Sequence, residues 1–168
     1  MAFFIAYLLV FVFAATPFFE VIAVIPIGAL AGLNVIVVAV VALLGNLLTV
    51  LLVIFLAERL KKWNEDRRRR KGIDVDAPSK KRERAERLWT KYGIVGVSLL
   101  GPLIIGSHLA ALTAMTFSNN KTKVTAWMTG SLVLWCVAMG VLSFYGVDLI
   151  QENTGNNGFL YEMLRVDE

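Results

Sequence analysis

The feature that most constrains this chain is its first third, from Ala2 to Ala57, which is apolar almost throughout and carries one charge, Glu20. A membrane-spanning helix needs about 20 apolar residues, and soluble domains do not contain apolar runs of this length. Two further apolar blocks, residues 93–117 and 124–147, contain no formal charge when His108 is neutral. The sequence therefore predicts an all-α integral membrane protein, since helices satisfy their own backbone hydrogen bonds in lipid.

The basic residues are concentrated in one segment between the apolar regions. Of the seventeen Lys and Arg, fourteen lie within residues 58–92, where seven Asp and Glu oppose them, a net charge of +7. Loops rich in Lys and Arg stay on the cytoplasmic side, so we expect a multi-pass protein of the cell membrane with loop 58–92 in the cytoplasm. We expect the basic run 67–71 to set the orientation of the chain in the membrane and to attract anionic lipid. Since it lacks interleaved aromatic residues, no nucleic-acid partner is expected.

The apolar residues divide into two similar halves. The first membrane repeat, 1–57, is predicted to contain a hairpin over 2–33, broken near Pro26, and a transmembrane helix over 35–57. The second repeat, 93–148, is predicted to contain a hairpin over 93–117, broken at Gly101-Pro102 and Gly106, and a transmembrane helix over 124–147. Within the loop we expect residues 64–78 to be irregular and 79–92 to form a helix, and residues 149–168 form an acidic polar tail.

Two membrane arrangements fit this pattern. If each hairpin enters the membrane and returns, the halves form an inverted repeat whose interruptions face one another around a polar pocket, and residues 118–123 are cytoplasmic. If each segment crosses, the result is a plain four-helix transmembrane bundle with 118–123 outside. We favour the re-entrant hairpins, because broken helices at corresponding positions of two halves are typical of midplane sites in transporters.

The candidate site residues are those that are polar within the membrane or that break its helices. Glu20 is an ionisable group in an apolar segment, and such groups usually face a cavity or carry protons, although near the interface it would be idle. His108 is a candidate for anion binding or proton relay, and a structural hydrogen bond is its simpler role. Asn46 is expected to line the cavity or to bond between helices. The hairpin tips, where N–H groups would hold a phosphate, are assigned to Pro26, Gly28, Gly101, Pro102, Gly106 and Ser107.

Three stretches carry a resemblance to a known family. They are EVIAVIPIGALAGL (Glu20–Leu33), LLGNLL (Leu43–Leu48) and GPLIIGSHLAALTAM (Gly101–Met115). The first two resemble the putative small multidrug export protein family, a branch of the DedA-like membrane proteins, and the third resembles its second Pro/Gly hairpin. The matching positions are Glu20, Pro26, Gly45 and Asn46. The chain departs from the family at Ile22, where an Arg is usual, and at 103–108, where the family has a Pro-rich and Thr/Gly-rich turn.

The resemblance implies facing re-entrant hairpins and transport coupled to protons or sodium, as in relatives, some of which move polyprenyl-phosphate lipids. We therefore expect a secondary transporter or lipid translocase for an amphipathic or lipid-phosphate cargo, with membrane lipids as partners. The alternative is a membrane scaffold whose basic loop binds anionic lipid or a partner. Gly28-x-x-x-Gly32 can bring helices close within the chain or in a homodimer.

Other functional classes lack support in the sequence. GxSxG, P-loop and HExxH motifs and Cys/His metal spacings are absent from it, so we expect neither an enzyme nor a cofactor or metal site. The single Cys136 stands in an apolar block and is expected to be a small buried thiol. Residues 3–13 resemble the apolar part of a secretory signal, but no basic region precedes them, which disfavours cleavage.

Overall fold

The computed structural model describes residues 2–17, 19–70, 72, 80–118 and 120–154, and every regular element within these ranges is an α-helix. In chain order the helices are α1 (Ala2–Ala14), α2 (Glu20–Leu30), α3 (Val35–Arg70), α4 (Lys80–Ile104), α5 (Ser107–Phe117) and α6 (Lys121–Thr154). Two segments are long and apolar enough to cross a membrane, Val35–Arg59 and Lys121–Gly146. The predicted all-α class with these two spans is thereby confirmed. The part of the polar tail after Thr154 lies outside the described residues.

The chain forms two compact units. The first contains residues 1–48 and 132–168, and the second contains residues 49–131. In the first unit α1 contacts α2, and in the second α4 contacts α5. In each unit, therefore, two consecutive helices contact each other, and the re-entrant hairpins expected at 2–33 and 93–117 stay a prediction.

Both long helices begin at an asparagine. Asn34 Oδ1 accepts hydrogen bonds from the backbone N–H groups of Ile36 (3.0 Å) and Val37 (3.2 Å), and Asn120 Oδ1 accepts one from Lys123 (3.0 Å). Such side-chain caps satisfy donors that the first helical turn leaves free. The two spanning helices thus start by the same local mechanism, each following an 11-residue helix, α2 or α5.

The helix breaks do not occur at the prolines, contrary to the prediction. Pro26 lies inside α2 and Pro102 inside α4. A proline removes one backbone hydrogen bond but its fixed φ is compatible with a helix, so in a membrane it bends the chain rather than reversing it. A positive φ instead marks the connection before α2, at Glu20 (44°), and the one before α5, at Gly106 (91°). The predicted break at Gly106 is correct, and in the first half the connection lies at residues 15–19, before Pro26.

The basic loop is more helical than predicted. Helix α3 continues to Arg70, so residues 64–70 are helical rather than irregular. The predicted helix at 79–92 is present from Lys80, and it ends at a kink where Gly93 has φ 61° and ψ −154°. Only glycine adopts that conformation at low cost. Gly93 therefore separates a polar helical segment, 80–92, from the apolar segment 94–104.

Close packing in each unit depends on glycines. A Cβ on Gly45 of α3 would collide with the backbone carbonyl of Phe11, and one on Gly28 would lie 2.8 Å from Val38 Cγ1. Gly28 therefore packs inside the first unit, which is one of the two roles predicted for the Gly28-x-x-x-Gly32 spacing. The homodimer stays a prediction.

Candidate functional site

Glu20 is the first residue of α2, directly after the connection from α1. It is only 5% exposed, although the preceding Phe19 is 44% exposed, so the carboxyl-bearing side chain is turned into the first unit. Its φ of 44° is the only positive value at a non-glycine residue among the described residues. A residue held in this region costs of order 1–3 kcal/mol and is found disproportionately at functional sites.

The end of α1 is held beside the middle of α3. Gly45 lies against the Phe11 carbonyl, in the last turn of α1, and Asn46 is the next residue and is completely buried. The connection itself is ordered by Thr16, whose hydroxyl donates to the Phe13 carbonyl at 2.7 Å, and by the Phe13 and Phe19 rings, 5.3 Å apart. The predicted residues Glu20 and Asn46 therefore lie at the same end of α1, where its polar C-terminus meets the start of α2.

The second unit contains its own polar group at the start of α5. Gly106 precedes the helix, Ser107 is fully buried, and His108 is partly buried. His108 Nε2 lies 2.9 Å from Thr49 Oγ1 of α3, and His108 Nδ1 lies 3.4 Å from Ser107 Oγ. The imidazole is thus held between two hydroxyl groups at the N-terminal end of a helix, where backbone N–H groups and the helix dipole favour negative charge.

The His108–Thr49 hydrogen bond should be measurable as a coupling energy. In a double-mutant cycle with His108→Ala and Thr49→Val, we expect the losses in free energy of unfolding to be non-additive by about 0.6 kcal/mol, and at most about 1.7 kcal/mol, as for hydrogen bonds between membrane helices. The measurement is unfolding in lipid bicelles. Thr116→Val is the matched control, because the Thr116 hydroxyl donates to Leu112 of its own helix, and it should be additive with His108→Ala. If the losses from His108→Ala and Thr49→Val are additive, the His108–Thr49 hydrogen bond contributes nothing to the free energy of unfolding.

The other predicted tip residues occupy different positions. Pro26 and Gly28 lie within α2, beyond the connection at 15–19, and Gly101 and Pro102 lie in the turn of α4 before the connection at 105–106. A Cβ on Gly101 would collide with that of Ala110, so this glycine sets the approach of α4 and α5. These four residues shape the helix pairs, whereas Gly106, Ser107 and Glu20 are at the connections.

Sequence reasoning missed several buried hydroxyl groups. Ser98 is fully buried in α4 and Ser131 is 5% exposed in α6, and neither Oγ has a hydrogen-bond partner among the described residues. Pro102 also deprives the Ser98 carbonyl of its usual helical N–H donor, four residues on. Thr49, the partner of His108, was missed as well. It stands one turn after Asn46 in an apolar run, and that i, i+3 spacing was the available signal.

Metal-binding groups are not assembled in the part of the chain that the structure describes. Within it, no three His, Cys, Asp or Glu side chains lie close enough together to hold an ion. Cys136 is buried, and its Sγ donates to the Ala39 carbonyl at 3.2 Å. The thiol therefore packs between α3 and α6 in the first unit.

The helices and the two apolar candidate spans define an all-helical membrane protein with polar residues buried among its helices. A family model described as "Putative small multi-drug export protein" matches residues 20–138, more than two thirds of the chain. The chain belongs to that family, as its resemblance at Glu20, Pro26, Gly45 and Asn46 predicted. No curated protein and no solved structure shows significant similarity to it.

Proposed function

We propose that this protein is an ion-coupled secondary transporter or lipid translocase of DedA-like architecture, in which Glu20 carries the coupling ion. The observation that carries the proposal is the burial of Glu20, to 5% exposure, inside an apolar segment. A carboxyl group in a membrane is costly, by about 2.5–3.5 kcal/mol on insertion scales. This burial supports a role in which the group gains and loses a cation during transport over an idle position at the headgroups.

The lengths of the paired helices support re-entrant hairpins. Helices α1, with 13 residues, and α2 and α5, with 11 residues each, are about 16–20 Å long, and so is the segment 94–104. The hydrocarbon core is about 30 Å thick. None of these four segments is long enough to cross it, whereas α3 and α6 are. A repeat of one re-entrant pair and one spanning helix accounts for this division.

Contacts within the second unit support the same topology. Lys121, at the start of α6, lies 3.5 Å from Glu58, at the polar end of the α3 span. The Trp89 ring stacks on that of Phe117, 5.2 Å away, so the end of α5 is beside the polar first part of α4, residues 80–92. In a four-span bundle Glu58 and Lys121 would be on opposite membrane surfaces. The pair favours a chain that enters after Gly93 and returns by Phe117 to the same side.

The second polar group supports the proposed class of cargo. Ser107, His108 and Thr49 offer hydroxyl, imidazole and helix N-terminal donors in an otherwise apolar environment. Such donors suit an anionic headgroup attached to an apolar body, so the cargo is an amphipathic or lipid-phosphate molecule. Since the sequence contains no nucleotide-binding P-loop, the movement of this cargo draws on an ion gradient or runs downhill, and the burial of Glu20 favours the ion gradient.

Reconstitution tests the proposal against a membrane scaffold. The protein is placed in liposomes containing a fluorescent phospholipid or an amphipathic dye, and an inward proton or sodium gradient is imposed. We expect one of these gradients to redistribute the probe faster than in protein-free liposomes. A scaffold would leave the distribution of every probe unchanged under both gradients, and that result would overturn the proposal.

The topology can be tested with thiol labelling. In a Cys136→Ser background, which removes the only cysteine, Lys62→Cys and Lys123→Cys are labelled in intact, right-side-out cells by a membrane-impermeant maleimide. We expect both positions to be unreactive until the membrane is permeabilised, because both lie on the cytoplasmic side in the re-entrant topology. Labelling of position 123 alone in intact cells is the result expected of four spanning helices.

A further inference from the structure

The helical segment 80–92 differs in composition from the apolar helices. It contains six Lys and Arg against two Glu, a net charge of +4. Its apolar residues, Ala85, Leu88, Trp89 and Tyr92, follow the i, i+3, i+4, i+7 spacing of one helical face. Helices with a basic polar face and aromatic residues on the other typically lie in the membrane interface.

An aromatic contact and a helix kink favour a position for this segment at the membrane interface. Trp89 stacks on Phe117 at the end of α5, while Tyr92 remains 47% exposed and Lys91 Nζ lies 5.1 Å from its ring centroid. Gly93, at φ 61°, then separates the segment from the membrane helix 94–104. The kink lets one helix lie along the surface while the next enters the membrane, and Trp and Tyr are favoured at that depth.

We propose that residues 80–92 form a binding surface for anionic lipid headgroups, and that lipid bound there stabilises the base of the α4–α5 pair through the Trp89–Phe117 stack. The charge of the segment, its interfacial aromatic residues and its continuity with a membrane-embedded helix all favour a lipid leaflet as the occupant. This surface is separate from the polar residues at Glu20 and His108, and its lipid binding does not depend on transport.

The polar end of α3 provides a contrast within the same loop. Arg69 and Arg70 are also exposed, but they lie about 15 Å beyond Arg59 along a continuous helix. At physiological ionic strength, dissolved ions screen the attraction between two charges that are more than about 8 Å apart. Where α3 projects from the membrane, these two residues are too far from the headgroups to contribute, although their charge equals that of two residues in 80–92.

Site-directed spin labelling of the full chain in vesicles tests the proposal. With Cys136→Ser, a label at Tyr92→Cys reports the membrane face and one at Thr90→Cys the opposite face. In vesicles of phosphatidylcholine with phosphatidylglycerol, we expect label 92 to be shielded from a water-soluble nickel reagent and label 90 to remain accessible. In phosphatidylcholine alone, both should be accessible. Shielding that is equal in the two vesicle types would overturn a specific role for anionic lipid.

Charge variants complete the test. Each basic residue near an anionic surface contributes about fivefold to binding, so Arg84→Gln with Lys91→Gln should reduce the ratio of shielded to accessible label about 25-fold. The double variant Arg69→Gln with Arg70→Gln removes the same amount of charge and should leave this ratio unaltered. Amide hydrogen exchange of residues 107–117 should be slower with phosphatidylglycerol in the parent chain and unaffected by lipid in the Arg84/Lys91 variant. Equal losses in both double variants would show general attraction rather than a surface at 80–92.

Discussion

Glu20→Gln is expected to reduce ion-driven transport to the level of protein-free liposomes. The amide has nearly the shape of the carboxylic acid, so the buried position and the unusual backbone at φ 44° can be kept. It cannot release a proton or carry a negative charge, however, and a group that alternates between charged and neutral states is what coupling requires. The measurement is redistribution of the fluorescent probe under the driving gradient found for the parent protein.

The matched control for this substitution is Glu58→Gln. Glu58 lies at the polar end of the Val35–Arg59 segment, and its side chain is exposed. Its carboxylate lies 3.5 Å from Lys121 Nζ, in an ion pair that water can reach. Such exposed pairs contribute little, about 0–1 kcal/mol, so transport should be retained. Membrane insertion of both variants is checked by their yield in the membrane fraction. Normal ion-driven transport by an inserted Glu20→Gln protein would remove Glu20 from the mechanism.

Gly45→Ala is expected to destabilise the protein by about 1–3 kcal/mol, the usual cost of overpacking a close-packed site. The added methyl group would meet the backbone carbonyl of Phe11, which cannot rotate away as a flexible side chain could. Helix α1 must therefore shift away from α3. Because α1 leads directly into the connection before Glu20, the shift displaces the proposed ion site, and transport should fall together with the free energy of unfolding.

Gly140→Ala provides the comparison for Gly45→Ala. Gly140 lies in the apolar part of α6, in the same unit, and a Cβ there would be 3.9 Å from Ala39 Cβ, an ordinary van der Waals contact. Its substitution should leave stability unchanged or raise it slightly, because alanine favours helices over glycine by about 1 kcal/mol. The free energy of unfolding of both variants is measured in bicelles or in a graded detergent mixture. Equal stability of the two variants would mean that α1 does not pack on α3 at Gly45.

Much of the architecture was predictable because it depends on local composition and on the lipid environment. Apolar runs near Val35 and Val124 are long enough to span a membrane, and Asn34 and Asn120 stand where helix caps are favoured. Gly106 was predictable as a break, since glycine adopts positive φ at low cost. Glu20 and His108 could be selected as candidates because ionisable side chains are rare inside membranes.

The positions of the breaks and the partners of the polar residues were decided by tertiary structure. Pro26 and Pro102 were expected to interrupt helices, but both lie inside helices, and the breaks lie between α1 and α2 and at residues 105–106 instead. No local pattern pairs His108 with Thr49, because the two are 59 residues apart and meet only when α5 packs on α3. Hydropathy and capping act within one or two turns of a helix, so they determined which segments enter the membrane and where the long helices start. The burial of Glu20, the contact of Gly45 with α1 and the hydrogen bond of His108 arise between segments distant in sequence, and only close packing in three dimensions could decide them.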